Sequence, residues 1–217
     1  MSKIIQKLNN LKSSESFIQV NTIRGYKYVD KAGEIVNTYY KDDVPPVFNM
    51  TIGELRIHKP SNKVEEIRVS PQMVWLRCLV VDSLDMVATT FTQESKKIFK
   101  ILDVEKVSRI GWRNYFIYEC DDKVDQDKIF EKIITIKTVK LNSINFEINL
   151  DKNFKVILGL QPVTKTDNNT SAVLFDIDIS HSGEIDTKEV PKVLKEFREY
   201  LTAEKGFLDT VNNILVG

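Results

Sequence analysis

Runs in which apolar and polar residues alternate recur along most of the chain, and they constrain its fold more than any other feature. Successive side chains of a strand point to opposite faces of a sheet, so alternating runs rich in β-branched residues predict strands. The predicted strands span residues 16–29, 34–40, 47–58, 64–70, 73–81, 85–91, 106–120, about 136–150, 154–163 and 171–179.

A smaller number of stretches have helical spacing instead. The predicted helices span residues 2–12, 92–103, 125–136 and about 187–204. Thr92 is the expected N-cap of the second helix. One apolar stripe of the last helix contains Val190, Val193, Leu194, Phe197 and Leu201. Runs of strands with few helices predict an α+β fold: a mainly antiparallel sheet, two or three helices packed on one face, and a C-terminal helix.

Two adjacent prolines in "KDDVPPV" (41–47) interrupt the pattern, because proline cannot donate to a strand ladder. We therefore place the domain division here. Residues 1–44 are predicted to form an N-terminal helix and hairpin extension, in which "DKAG" supplies the hairpin turn. Residues 45–217 are predicted to form one compact α+β domain.

Charge and motif content exclude several functional classes. Lys+Arg and Asp+Glu are both 31, and a zero net charge disfavours a nucleic-acid partner. The chain lacks a GxGxxG motif and a phosphate-binding Gly-Lys-Ser/Thr loop, so no cofactor is predicted. No apolar segment approaches the roughly 18 residues that span a bilayer, so no membrane association is expected. Cys78 and Cys120 lie in apolar runs, which predicts buried thiols in a reducing, cytoplasmic setting.

Residues 178–189, "DISHSGEIDTKE", match the twelve-residue calcium loop of an EF-hand. The ligand positions would be Asp178, Ser180, Ser182, Asp186 and Glu189. An EF-hand needs a helix before its loop, whereas "SAVLFDID" alternates as a strand does. We therefore expect a strand-to-helix turn without metal, and we retain a weak calcium module as an alternative.

The segment "RIGWRNYF" (109–116) contains the candidate binding residues. On a strand, Arg109, Gly111, Arg113 and Tyr115 share one face, while Ile110, Trp112 and Phe116 share the other. The polar face could receive a carboxylate, a phosphate or an acidic side chain of a partner, or its arginines could form ordinary salt bridges. Neither outcome requires catalysis, and no catalytic residue is predicted.

Together with "PPVFNMTIGELRI" and "LFDIDISHSGEID", this segment is similar to a family of uncharacterised bacterial proteins with a sporadic distribution among species. The resemblance covers about residues 45 to 215 and departs from the family pattern at Asn114. It implies an α+β fold without established activity and an accessory role in a bacterial defence or mobile-element system.

The hypothesis that follows is a non-enzymatic interaction protein, whose partner is another protein or a second copy of the chain. Arg109, Arg113 and Tyr115 are its expected binding residues. The alternatives are a sensor of a small anionic ligand at the same residues and the weak calcium module at 178–189.

Overall fold

The computed structural model describes residues 13–22, 27–41, 44–79, 81, 83–120, 123–133, 143–149, 153–166 and 169–202. Nine strands are described: β1 (Ser13–Thr22), β2 (Val47–Met50), β3 (Leu55–Ser61), β4 (Val64–Ser70), β5 (Met73–Leu79), β6 (Lys106–Glu119), β7 (Ile144–Asn149), β8 (Phe154–Thr164) and β9 (Ser171–Asp186). Four helices are described: α1 (Tyr28–Asn37), α2 (Leu84–Leu102), α3 (Lys123–Ile133) and α4 (Val190–Thr202). None of these described helices is both long enough and apolar enough to cross a bilayer.

All nine strands form a single antiparallel sheet in the order β2-β3-β4-β5-β1-β6-β9-β8-β7. The predicted α+β class, the antiparallel sheet and the C-terminal helix are confirmed, although the sheet dominates and four helices are described rather than two or three. Most neighbouring strands follow one another in sequence. The exceptions are β1, which lies between β5 and β6, and β9, which lies between β6 and β8.

One continuous hydrophobic cluster joins alternate residues of the strands to the apolar stripes of the helices. Trp112 of β6 and Ile18 of β1 are fully buried, as are Phe91 of α2 and Phe197 of α4. The stripe predicted in the C-terminal helix is buried at all five positions. Burial of large side chains contributes roughly 1.5–3 kcal/mol each, so this cluster is the main source of stability.

The hairpin predicted for the N-terminal extension is wrong. Residues 34–40, expected as a strand, lie in α1 and the turn that follows it, and "DKAG" lies inside that helix. Its buried residues are Tyr28, Ala32, Ile35 and Val36, which follow helical spacing. The first strand pairs with β5 and β6 instead, at the centre of the sheet. The helix predicted for residues 2–12 lies outside the described residues.

The strand predicted at 85–91 is also wrong, because these residues form the first turns of α2. Ser83 is the N-cap: its hydroxyl accepts a hydrogen bond of 3.1 Å from the backbone N–H of Met86. Thr92, the expected cap, lies within the helix. Burial of Val87 and Phe91, four residues apart, anchors this turn to the core, so tertiary packing overrides the β-propensity of "VATT".

Candidate functional site on the open face of the sheet

The residues of β6 lie on two different faces, as the alternation predicted. Ile110 and Trp112 are fully buried, whereas Arg113 is exposed and Arg109 and Tyr115 are half-buried. We call the face that carries Arg109, Arg113 and Tyr115 the open face. The register continues it onto the neighbouring strands: Gln19 lies opposite Gly111, and Asp178 lies opposite Arg113. The structure therefore brings the three predicted residues together on one accessible surface.

Three aromatic rings form a row across the open face. Phe17 of β1 lies between Trp75 of β5, at a centroid distance of 5.4 Å, and Tyr115 of β6, at 5.6 Å. The second pair is edge-to-face, with an interplanar angle of 85°. Such pairs add about 0.5–1.5 kcal/mol beyond their area burial. We call Trp75, Phe17 and Tyr115 the aromatic row; their rings are held in place by one another and present half-buried edges to solvent.

Guanidinium groups stack against each ring of the aromatic row. Arg68 lies 4.5 Å from the centroid of Trp75, Arg77 lies 5.7 Å from Phe17, and Arg113 lies 5.2 Å from Tyr115. Cation–π contacts at partly exposed sites contribute about 0.5–1 kcal/mol. The open face therefore carries rings and cations in fixed relative positions.

Each of these stacked arginines also has a carboxylate partner. Arg68 pairs with Glu66, and Arg77 pairs with Glu15. Arg113 makes a two-point pair with Asp176, in which Nε donates at 2.7 Å and Nη2 donates at 2.5 Å. Exposed ion pairs add little to stability, but they neutralise the surface. A neutral face of this kind does not suit a phosphate backbone, which is bound by unpaired cations.

Arg109 differs from the other arginines of the open face. Its nearest carboxylate oxygen is Asp178 Oδ2, 3.9 Å from Nη2, and no described residue accepts a hydrogen bond from its guanidinium. The group lies above Gly111, where a Cβ atom would stand 3.2 Å from Nη2 and 3.3 Å from Cζ. The glycine therefore leaves room for Arg109 to reach along the strand. Burial raises the pKa of Asp178, while Arg109 and Arg113 act in the opposite direction.

A concavity of about 280 Å³ opens above this arrangement. It is lined by the aromatic row with Gln19, Arg109, Gly111, Arg113 and Asp178. This volume is slightly below the range of roughly 300–1,000 Å³ that is usual for small-molecule sites. Its rings could contact a planar group, and its two guanidinium groups could contact an anionic one.

The expected turn over residues 178–189, with the calcium loop as its alternative, is wrong for most of its length, because the strand continues to Asp186 and the turn spans only residues 187–189. Asp178, Ser180, Ser182 and Asp186 all belong to β9, and Glu189 lies in the turn before α4. At strand rise, Asp178 and Asp186 are roughly 25 Å apart, far too distant to share an ion. Among the residues that the structure describes, no group of three or more His, Cys, Asp or Glu side chains could hold a metal. The segment before residue 178 is a strand, as its alternation indicated.

Sequence reasoning missed several members of the site, which include Phe17, Gln19, Trp75, Asp176 and, as a partner of arginine, Asp178. The alternation in their strands does predict which face each side chain occupies. It does not predict that β1 and β9 flank β6, because that depends on contacts between residues roughly 50 to 100 positions apart. The hydrogen bond between Ser16 and Asn114 is one of these contacts (|i−j| = 98).

A second concavity, about 520 Å³ in volume, lies between α2 and the start of α4. Lys96, Lys100 and Lys188 line it, above apolar groups that include Phe99 and Val190. Lys96 and Lys100 are exposed. None of the three makes an ion pair within the described part of the chain, so this groove is the more cationic of the two.

No protein-family model matches this chain, and no curated protein matches it either. The similarity to sporadically distributed bacterial proteins therefore stays a prediction that depends on the short segments quoted above.

Proposed function

We propose that this chain is a non-enzymatic binding protein and that the open face is its binding surface for another protein. The observation that carries the proposal is the aromatic row flanked by stacked, carboxylate-paired arginines. Aromatic and arginine side chains are enriched at the energetic centres of protein interfaces. They are preorganised here by mutual stacking, so less side-chain entropy is lost on binding.

The charges of the open face are largely paired, and this favours a protein partner over a nucleic acid. The paired arginines can exchange or share carboxylates with a partner, whereas they offer little uncompensated charge to a nucleic acid. A protein partner with exposed aromatic and carboxylate side chains is therefore the partner that best complements the open face. The accessory role in a bacterial defence or mobile-element system belongs to this proposal and depends on the family resemblance alone.

The test is native mass spectrometry of the untagged chain, purified gently from its own host. We expect a stoichiometric second polypeptide. The double variant Arg113→Asp/Asp176→Arg keeps an ion pair within the chain but inverts its direction, so the partner should be lost while the melting temperature is unchanged. The matched control, Lys106→Glu/Glu184→Lys, inverts an exposed pair at the far end of β6 and should retain the partner.

Retention of the partner by the Arg113/Asp176 double variant would place the binding surface elsewhere. Turnover of any substrate class in an unbiased screen would contradict the non-enzymatic part of the proposal.

A second candidate function is the binding of a small anionic ligand at Arg109. It is favoured by the concavity that the aromatic row lines and by the absence of a hydrogen-bonded carboxylate on Arg109 among the described residues. A carboxylate or phosphate bound there would receive a charge-assisted hydrogen bond, and an attached ring would stack on Trp75 or Tyr115.

Isothermal titration with benzoate and with inorganic phosphate tests this second function. Binding of either probe should be lost in Arg109→Gln and kept in Arg56→Gln, which alters an arginine of the sheet outside the concavity. Equal binding by both variants would show that Arg109 does not hold the anion.

A further inference from the structure

Apolar side chains of the edge strand β2 lie next to buried core residues of β3 but are themselves partly exposed. Phe48 lies opposite Ile57, and Met50 lies opposite Leu55. Both partners are fully buried, whereas Phe48 is 37% exposed and Met50 is 53% exposed. Two rows of core side chains therefore continue to the last strand of the sheet, where Phe48 and Met50 are partly exposed.

The residues around β2 extend this apolar edge. Val44, Val47 and Ile52 are 63%, 73% and 85% exposed. Five of the nine exposed large hydrophobic side chains described thus come from residues 44–52. Phe48 and Met50 lie on the core face of the sheet and Val47 lies on the other, so exposed apolar side chains flank the edge strand on both faces. Large exposed apolar surfaces commonly mark sites of association.

The backbone of β2 is also available for pairing. Its one neighbour in the sheet is β3, and within the described part of the chain no strand pairs with its outer side. Alternate residues of an antiparallel strand direct their N–H and C=O groups to each side, so β2 presents unpaired groups outward. Pro45 and Pro46 precede it and cannot donate to a ladder, which confines pairing to residues 47–51.

We propose that two copies of this chain associate through β2, which pairs antiparallel with its counterpart about a twofold axis at Asn49. In that register Phe48 lies opposite Met50 of the second copy, and Met50 lies opposite Phe48, so both core rows continue across the axis. Asn49 then faces its own counterpart on the opposite face of the sheet.

A second copy fits this edge because the segment is complementary to itself. Residues 44–53 contain no charged side chain, so antiparallel self-pairing brings no like charges together. An asparagine amide has both a donor and an acceptor, so Asn49 can pair with an identical amide across a twofold axis. The opposite edge strand, β7, differs because it carries the exposed carboxylate of Glu147, which pairs with Lys155 of β8 at 2.7 Å. Charged side chains on an edge strand oppose pairing with another strand.

Sedimentation equilibrium of the full chain, over a range of concentrations, tests the proposal. We expect the wild type to approach twice the 25.0-kDa mass of one chain as concentration rises. Asn49→Lys places two lysines opposite each other at an exposed position, and it should raise the dimer dissociation constant by about tenfold or more. Asn49→Asp should do the same, and an equimolar mixture of the two variants should restore the dimer.

The matched control is Asn145→Lys, the same substitution at an exposed position of β7, which should leave the dissociation constant unchanged. Circular dichroism should show that all three variants fold alike. A wild type that stays monomeric at every concentration would overturn the proposal. So would a dimer that Asn49→Lys does not weaken, or two charge variants that fail to associate when mixed.

Discussion

Trp112 Nε1 donates a hydrogen bond of 2.7 Å to the hydroxyl of Ser16, and both side chains are fully buried. The hydroxyl in turn donates to Asn114 Oδ1, also at 2.7 Å. This chain of hydrogen bonds joins β1 to β6 beneath the candidate site. It holds in register the two central strands from which Phe17, Arg109 and Tyr115 project to the other face.

We expect Ser16→Ala to lower the free energy of unfolding by about 1–3 kcal/mol, because it leaves a buried indole N–H and a buried amide oxygen without partners. Urea denaturation measures the change. Ser108→Ala is the control, since Ser108 is exposed and its hydroxyl lies 3.4 Å from Asn21 O, so its loss should have little effect. Equal stability of the two variants would show that the network contributes nothing.

Two buried glycines on the open face should differ in their tolerance of a methyl group. At Gly159 a Cβ atom would meet Asn145 Oδ1 at 3.0 Å and the Cβ of Asp176 at 3.2 Å. We expect Gly159→Ala to cost about 1–3 kcal/mol, because the neighbouring strands must shift. At Gly111 the methyl group meets the guanidinium of Arg109, the mobile end of a long side chain.

We therefore expect Gly111→Ala to change the free energy of unfolding by less than about 1 kcal/mol. Thermal denaturation of the two variants compares the costs. A larger loss for Gly111→Ala than for Gly159→Ala would mean that Arg109 is fixed in place.

The stability of the chain should depend on the protonation of Asp178. Burial raises the pKa of this carboxyl above its usual value of 3.8, although Arg109 and Arg113 oppose the shift. A carboxyl whose pKa is higher in the folded state binds protons more readily there. The Asp178 carboxyl therefore contributes most to stability when it is protonated. This contribution declines as the pH rises through the raised pKa of the group.

We expect Asp178→Asn to retain or increase stability at neutral pH and to flatten this part of the pH profile. Arg109→Ala should lower stability at neutral pH, since it removes a favourable charge from a half-buried carboxylate. The double variant Arg109→Ala/Asp178→Asn should recover most of that loss. Urea denaturation across the acidic range measures all three, and a loss that persists in the double variant would contradict the coupling.

Cys78 should be protected from alkylation in the folded chain. It is a fully buried free thiol, and burial raises its pKa to about 11. In a Cys120→Ser background, we expect iodoacetamide to react with Cys78 on the order of 100-fold more slowly at neutral pH than after denaturation.

A cysteine introduced at the next position of the same strand controls for reagent access. Leu79 is 40% exposed, so Leu79→Cys in a chain that lacks both native cysteines should react rapidly without denaturant. Rapid reaction of native Cys78 would show that β5 opens readily.

Elements with a long, regular spacing of apolar residues and one buried face could be predicted from local sequence alone. The strand at 106–120 and the apolar stripe of α4 agree with their predicted positions, because each repeats its period over three or more turns or alternations. The same periodicity correctly assigned Arg109, Arg113 and Tyr115 to one face of β6. These features can be predicted from a single segment, because the spacing of apolar residues within it determines which side chains share the buried face.

Other features depend on how distant segments pack together. Residues 34–37 and 85–91 have side chains that favour strands, yet burial of Ile35 and Phe91 in the shared core stabilises both segments as helices. The placement of β1 between β5 and β6 assembles the aromatic row from three separate parts of the chain. Contacts between such distant segments depend on the packing of the whole core, which no short window of sequence encodes.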